Sequence, residues 1–298
     1  MAPPKVFLTG ATGYIGGDVS YTVTQAHSDW EVSVLVRNKE KGVKLACEYP
    51  NVRVVQGDLD SSGIIEEETK NADITAPIVI MSHLLKLSLK VPPTIPPRSP
   101  YGCHTSGTGI LTVEDFRTNT WGLERAKQHD DWDGIIIEAG KRAPDSVKVA
   151  ILTAAVLKRK KGFLVGEGKN YWHQVHVQDL SDLYLRLGDA AATGGGKATW
   201  NDKGYYLAEN GPFVWGDIQR AVARAAYEKK LIPSPDAEPI SDAEVKELNE
   251  FGLYAWGSSS RGWSYRGKKL LGWSPSKPSL LELIPSIIDI EAKQEGRA

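Results

Sequence analysis

Val6-Phe7-Leu8-Thr9-Gly10-Ala11-Thr12-Gly13-Tyr14-Ile15-Gly16-Gly17 is the stretch on which the fold turns. Val6–Thr9 reads as a short buried strand that breaks at Gly10. Residues from Tyr14 to about His27 continue as a helix. Glu31–Val36 is a second β-branched run, with Val32, Val34 and Val36 on one face. Together they make a strand, a glycine turn, a helix and a second strand within about 35 residues. Glycines at G-x-x-G-x-x-G spacing permit a tight turn, a close backbone approach and close helix–strand packing. Such a turn leaves bare amides at a helix N-terminus, where a pyrophosphate docks. Gly10, Thr12, Gly13, Tyr14, Ile15 and Gly16 are therefore the expected phosphate-binding residues of a nucleotide site. The bare spacing also fits a glycine-rich turn with no ligand; the strand before it and the helix after it favour the site.

The residue after the second strand chooses the coenzyme. An acidic side chain there hydrogen-bonds a ribose 2′-hydroxyl, whereas an arginine accommodates a 2′-phosphate. Arg37 stands in that place, 21 positions past Gly16, followed by Asn38 and Lys39. A guanidinium grips phosphate through a two-pronged fork, so NADP is expected over NAD. An ordinary solvated basic loop is the alternative. Val52–Leu59 supplies a third strand ending in Gly57-Asp58-Leu59. Two readings stay open for Asp58 and the adjoining Leu59. One is a place beside an adenine ring; the other is a turn or helix cap ahead of Ser61 and Ser62.

The 298 residues suggest two structural units at about 150 residues each. Lysine plus arginine number 36 and aspartate plus glutamate 37, a net charge of −1. That argues against sequence-independent nucleic-acid binding, which needs a basic surface to displace counterions. Two cysteines, Cys47 and Cys103, with no CxxC, argue against a disulfide scaffold or a cysteine-ligated zinc site. His173 and His176 would fall on opposite faces of a strand near Val175 and Val177, so no metal site is expected. No run approaches the ~18 apolar residues of a membrane span. Met1–Lys5 leads directly into the first strand, with no targeting signal. The expectation is a cytoplasmic protein with a small-molecule substrate and no membrane or nucleic-acid partner.

Four pieces in order carry a family likeness: KVFLTGATGYIGGDV at 5–19, HTSGTG at 104–109, VHVQDLSDL at 175–183 and KKLLGWSP at 268–275. The chain resembles the extended and atypical short-chain dehydrogenase/reductase superfamily. It is most similar to the branch of dihydroflavonol reductases and nucleoside-sugar epimerases, in particular its fungal-type members. The resemblance implies an α/β fold with a Rossmann-type doubly wound parallel sheet over residues 1–155, binding NAD(P). It implies a smaller C-terminal α+β substrate region over 156–298, partly interleaved with the sheet. Helical patterns at Leu180–Ala191, Gly216–Lys229, Asp242–Phe251 and Leu280–Ala292 fit that region, with a strand-like piece at Tyr205–Leu207. Pro233, Pro235 and Pro239 read as a connector. Six of the nine tryptophans follow residue 170; they line an apolar pocket or, as is commoner, form core.

Members of the superfamily with chemistry place Tyr-x-x-x-Lys on a helix after the fourth or fifth strand. The tyrosine moves a proton, and the lysine lowers its pKa and holds the ribose. A preceding serine or threonine orients the substrate, and Ser106 and Thr108 are the candidate hydroxyls here. Asn119–Val149 contains no tyrosine. His129, in the cluster His129-Asp130-Asp131-Trp132, reads as a surface residue more readily than as a base. Tyr265 and Lys269 form a Tyr-x-x-x-Lys, but 159 residues after Ser106, and the i,i+4 spacing reads as coincidence.

Residues 75–102 break the pattern. Pro77 precedes Ile78-Val79-Ile80, and Pro92, Pro93, Pro96, Pro97 and Pro100 follow within nine residues, which blocks a helix. An altered reading frame or exon boundary is one explanation; a genuine extended loop is the other. The chain also looks shortened after Gly134 and after a strand expected at Val147–Leu152. There it runs into Lys158-Arg159-Lys160-Lys161, a solvated helix end by its charge, where relatives carry a lid over the nicotinamide.

Three functional readings follow. The first is an NADP-dependent oxidoreductase or epimerase-like enzyme acting on a small carbonyl, polyol or sugar-like substrate, with its proton donor unidentified. The second is an NADP-binding sensor without catalysis. The third is a degenerate enzyme altered over 75–102.

Overall fold

The computed structural model describes residues 2–77, 101–103, 118–124, 129–130, 149–294 and 296. In chain order the elements are β1 (Lys5–Thr9), α1 (Tyr14–Ala26), β2 (Glu31–Val36), α2 (Lys39–Glu48), β3 (Val52–Gln56), α3 (Ser62–Asn71), β4 (Ile74–Pro77), β5 (Tyr101–Gly102) and β6 (His129–Asp130). They continue with α4 (Val149–Arg159), β7 (Gly162–Val165), β8 (Tyr171–His173), α5 (Val177–Ala192), β9 (Pro212–Val214), α6 (Trp215–Glu228), β10 (Ala237–Ile240) and α7 (Asp242–Leu248). Then come β11 (Gly262–Trp263), α8 (Arg266–Leu271) and α9 (Leu280–Gln294). The chain packs as two units. One takes residues 1–106, 177–206 and 265–274; the other takes 107–176, 207–264 and 275–298.

The first unit is a parallel sheet in the order β3-β2-β1-β4-β5. The Val/Leu-rich runs read from the sequence are its central strands. Val6 stands opposite Val32 on one side and Ile74 on the other, and Val34 opposite Val54. Strands covered on both faces must be apolar on both: Val6, Phe7, Leu8, Val32, Val34, Leu35 and Val36 are all buried. Phe7 and Leu35 pack with Ile65 of α3. α1 buries Gly16, Val19, Ser20 and Val23, the three-to-four spacing of one helical face. It packs against α5. Two bonds show that α5 runs parallel to α1: Ser181 Oγ donates to Asp18 Oδ2 at 2.5 Å, and His27 Nε2 meets Asp189 Oδ1 at 2.7 Å. The chain doubles back after β3, placing β4 on the far side of β1. β1 therefore lies at the point where the strand order reverses, outside whose carboxyl end such sheets bind their ligands.

The second unit is built on α4, α6 and α9 around β7, which pairs in parallel with β10. Its core contains Leu152, Phe163, Trp215, Ile218, Val222, Trp256, Ile284 and Ile288, each at most 2% exposed. Trp215 and Trp256 are thus core. β8 and β9 form an antiparallel pair, and β6 pairs in parallel with β11.

Three local expectations are corrected. Val149–Leu152 belongs to helix α4, not to a strand. Leu152 and Val156, and Thr153 and Leu157, repeat at i,i+4 and are buried together, and that period wins over the short Val147/Val149/Ile151 alternation. The helix ends on Lys158 and Arg159, as the charge run implied. Tyr205–Leu207 forms no strand. The Tyr206 hydroxyl accepts from the Thr199 N–H at 2.7 Å, a local tie rather than a ladder. His173 ends β8, and His176 directly precedes α5, so the two do not share a strand. Ile78–Ile80, the proline run and Ile135–Glu138 lie outside the described residues.

Candidate functional site

The turn between β1 and α1 is shaped by glycine. Gly10 has φ +74°, and its carbonyl accepts the Gly13 N–H at 2.8 Å. A Cβ on Gly16 would stand 2.1 Å from the Gly10 oxygen, so the helix can sit this close to the strand only with glycine there. Gly13 precedes the first turn in extended conformation; no side chain caps the helix and its first turn carries no acid. The leading N–H groups of a helix have no partner within it, so those of Tyr14 and Ile15 are offered outward with the positive end of the helix dipole. Thr12, Gly13 and Tyr14 are exposed, Ile15 half-buried and Gly16 buried. Thr9 adds a buried hydroxyl with no hydrogen-bond partner among the described residues at the end of β1. Bare amides, an uncapped N-terminus and a backbone kept clear of side chains fit a dinucleotide pyrophosphate.

Arg37 follows β2 at the same edge of the sheet, with its side chain exposed. Its carbonyl accepts from Gln56 Nε2 at 2.8 Å, which ties the loop to β3. Asn38 caps α2 by accepting the Lys41 N–H at 2.9 Å. Arg53 of β3, opposite Ser33, is taken up by Glu68 in a two-pronged pair. Asp58 lies in the turn after β3. Its Oδ1 accepts from Ser61 Oγ at 2.8 Å and from the Asp60 N–H at 3.1 Å, and Ser61 Oγ accepts the Asp58 N–H. The Ser61 hydroxyl holds the Asp58 carboxyl below its ordinary pKa. Asp58 thus makes the turn contacts of one of its two readings, while Ser61, rather than Asp58, is the N-cap of α3. Topology brings Gly10–Gly16, Arg37 and Asp58–Leu59 to the carboxyl ends of three adjacent parallel strands.

Ser106 and Thr108 lie outside the described residues. Of the His129 cluster the described part is the backbone of His129–Asp130, paired with Gly262–Trp263. Tyr265 and Lys269 do meet: Lys269 Nζ donates to Tyr265 Oη at 2.9 Å and stands 5.0 Å from its ring. Both are exposed, Tyr265 as the N-cap of the short helix α8 and Lys269 within it. Among the described residues no group of three metal-ligating side chains occurs, and no helix is long and apolar enough to cross a membrane.

Two features have no signal in the sequence. Asp18 faces Ser181, which is fully buried although 163 positions away. Partial desolvation of its hydroxyl, and then the charge of Asp18, raise the Tyr14 phenol above its ordinary pKa, although most of the side chain is exposed. In the second unit Glu209 is a buried carboxylate, accepting the Gly211 N–H at 2.9 Å and the Ser264 N–H at 3.2 Å. Pairings of this range arise from tertiary packing alone.

Comparison with known proteins extends this geometry. Residues 4–85 match the NmrA-like family. Oxidase ucsJ of Acremonium sp is 30% identical over 98% of this chain and 99% of its own length. That alignment runs over 343 positions against a chain of 298, so about 50 positions of the oxidase face gaps here. A nucleoside-diphosphate-sugar epimerase from Pseudomonas aeruginosa superposes with a TM-score of 0.61 at 12% identity, over 99% of each chain. The dTDP-glucose 4,6-dehydratase of Bacillus anthracis str. Ames, solved in complex with NAD, superposes with a TM-score of 0.59 at 14% identity, over 99% of this chain and 98% of that one. At those identities the likeness is one of fold: a Rossmann-like parallel sheet flanked by helices.

Proposed function

Because the chain belongs to the extended and atypical short-chain dehydrogenase/reductase superfamily, we propose that it is an NADP-dependent oxidoreductase or epimerase-like enzyme. Its substrate is a small carbonyl, polyol or sugar-like molecule. The observation that carries this reading is the uncapped N-terminus of α1, closed onto β1 at Gly10 and Gly16. The amides of Tyr14 and Ile15 hold the pyrophosphate, and Gly13 keeps the approach open. Arg37 holds the ribose 2′-phosphate through its guanidinium, which sets NADP above NAD. Asp58 and Leu59 border the adenine. When bound, the coenzyme supplies a hydride at its nicotinamide. Ser106 or Thr108 orients the substrate oxygen, an assignment that rests on sequence alone. The first unit takes the coenzyme, and the second, which holds most of residues 156–298, takes the substrate.

One observation favours a second reading, a coenzyme-binding sensor without turnover. Asn119–Val149 has no tyrosine, and the Tyr265–Lys269 pair sits exposed at the start of a six-residue helix. The gaps against the oxidase bear on a third reading, an enzyme that has lost parts of its machinery. Titration with NADPH, followed by its oxidation in the presence of small aldehydes, ketones and sugar nucleotides, separates the three. Binding with turnover supports the enzyme, and binding without turnover the sensor. A folded protein that binds neither coenzyme overturns both, and a chain that does not fold marks the third.

A further inference from the structure

From Val6 to Ala26, strand, turn and helix included, Asp18 is the single charged side chain. It lies one helical turn below Tyr14, at the i,i+4 position that faces the same side of α1. Its Oδ2 accepts from Ser181 Oγ at 2.5 Å, and Ser181 is fully buried. A hydroxyl donating to a carboxylate over so short a distance fixes its position. The turn residues Gly10–Gly17 themselves include no basic side chain, so the anion binding they offer relies on backbone amides and the helix dipole. A fixed negative charge one turn away works against a bound dianion through a partly buried path that salt screens poorly.

We propose that Asp18, held in place by Ser181, is an affinity-setting residue of the coenzyme site, keeping the pyrophosphate weakly enough bound to be released. This rests on the coenzyme reading above. The field of Asp18 already reaches Tyr14, whose phenol it helps to raise. Other charges near the seam stay as they are in the test below. Asp179 sits in the first turn of α5, and the His27–Asp189 pair closes the opposite end of the two helices. The pyrophosphate is common to NAD and NADP, so Asp18 acts on both equally. Arg37, placed at the 2′-position, acts on their ratio.

The test measures dissociation constants of NADH and NADPH by fluorescence titration, with the full chain and three variants. Asp18→Asn keeps an acceptor for Ser181 and removes the charge. Asp18→Ser removes the charge by another route and serves where the amide variant fails to fold. Asp18→Glu keeps the charge in altered geometry. The expected result is that both neutral variants bind NADH and NADPH roughly three- to tenfold more tightly, by a common factor. The gain should shrink in about 0.5 M salt, and Asp18→Glu should show none. In the coenzyme-free protein the Tyr14 phenol should titrate lower in Asp18→Asn than in the unmodified chain. Equal or weaker binding by the folded neutral variants, or tightening for one coenzyme only, overturns the inference and leaves the site standing. If the unmodified chain binds neither coenzyme, both readings fall.

Discussion

The Gly10 carbonyl oxygen lies 2.1 Å from where the Cβ of any other residue at position 16 would stand. Strand β1 and helix α1 are in contact through bare backbone at that point, and the contact holds the first-turn amides at the carboxyl edge of the sheet. Gly16→Ala should therefore push the helix off the strand, costing about 1–3 kcal/mol of stability and at least tenfold in coenzyme affinity. Chemical denaturation and dinucleotide titration of the same preparation check the two effects. A variant as stable as the parent would contradict the geometry.

Arg37 is the exposed cation at the end of β2, and its loop is pinned by Gln56. Arg37→Asp should weaken NADPH binding by about 1.5–3 kcal/mol, the range of a charge-assisted bond, and leave NADH within about twofold. Paired titrations measure this directly. Equal losses for the two coenzymes would refute the assignment of the 2′-phosphate to this residue.

The two thiols should behave differently. Cys47 is exposed, whereas Cys103 is buried at the end of β5, where its N–H donates to the Thr75 carbonyl at 2.8 Å. Burial pushes the Cys103 thiol up to about 12. At pH 8 a thiol-specific reagent should label one cysteine rapidly in the folded chain and two after denaturation. The sign for stability follows. Because the folded value lies above the unfolded one, near 9, Cys103 leaves stability unchanged below about pH 9. Stability should then fall as pH rises from there toward 12. Rapid labelling of both thiols in the native protein would contradict the packing around β5.

In the second unit Ile288 is fully buried within the core that α9 shares with α4 and α6. Ile288→Ala should cost about 2–5 kcal/mol in urea denaturation. A cost below about 1 kcal/mol would mean that α9 does not hold this place in solution.

The sheet was legible in the sequence because strands buried on both faces cannot hide their composition. Val6–Leu8 and Val34–Val36 are continuous apolar runs, and the glycines between them allow few alternatives. The amphipathic helices α5, α6 and α9 were legible from their period, as was the cationic end of α4. The start of α4 was not, because a short apolar run such as Val147–Leu152 fits two periods and only its burial partners decide between them. Of the candidate site, the glycine turn was visible because the close strand–helix contact at Gly10 and Gly16 demands that residue type, and Arg37 was visible as the cation that follows the second strand. Asp58 was half visible, since the same aspartate suits a turn and an adenine pocket. Asp18 and Ser181 were invisible. Nothing local marks either residue, and only the parallel packing of α1 on α5 brings them together.

The most direct measurement is isothermal titration of the folded full-length chain with NADPH and NADH. The account predicts saturable binding of one dinucleotide per chain, tighter for NADPH, and weakened at least tenfold in Gly16→Ala. A well-folded chain that gives no heat with either coenzyme would contradict it.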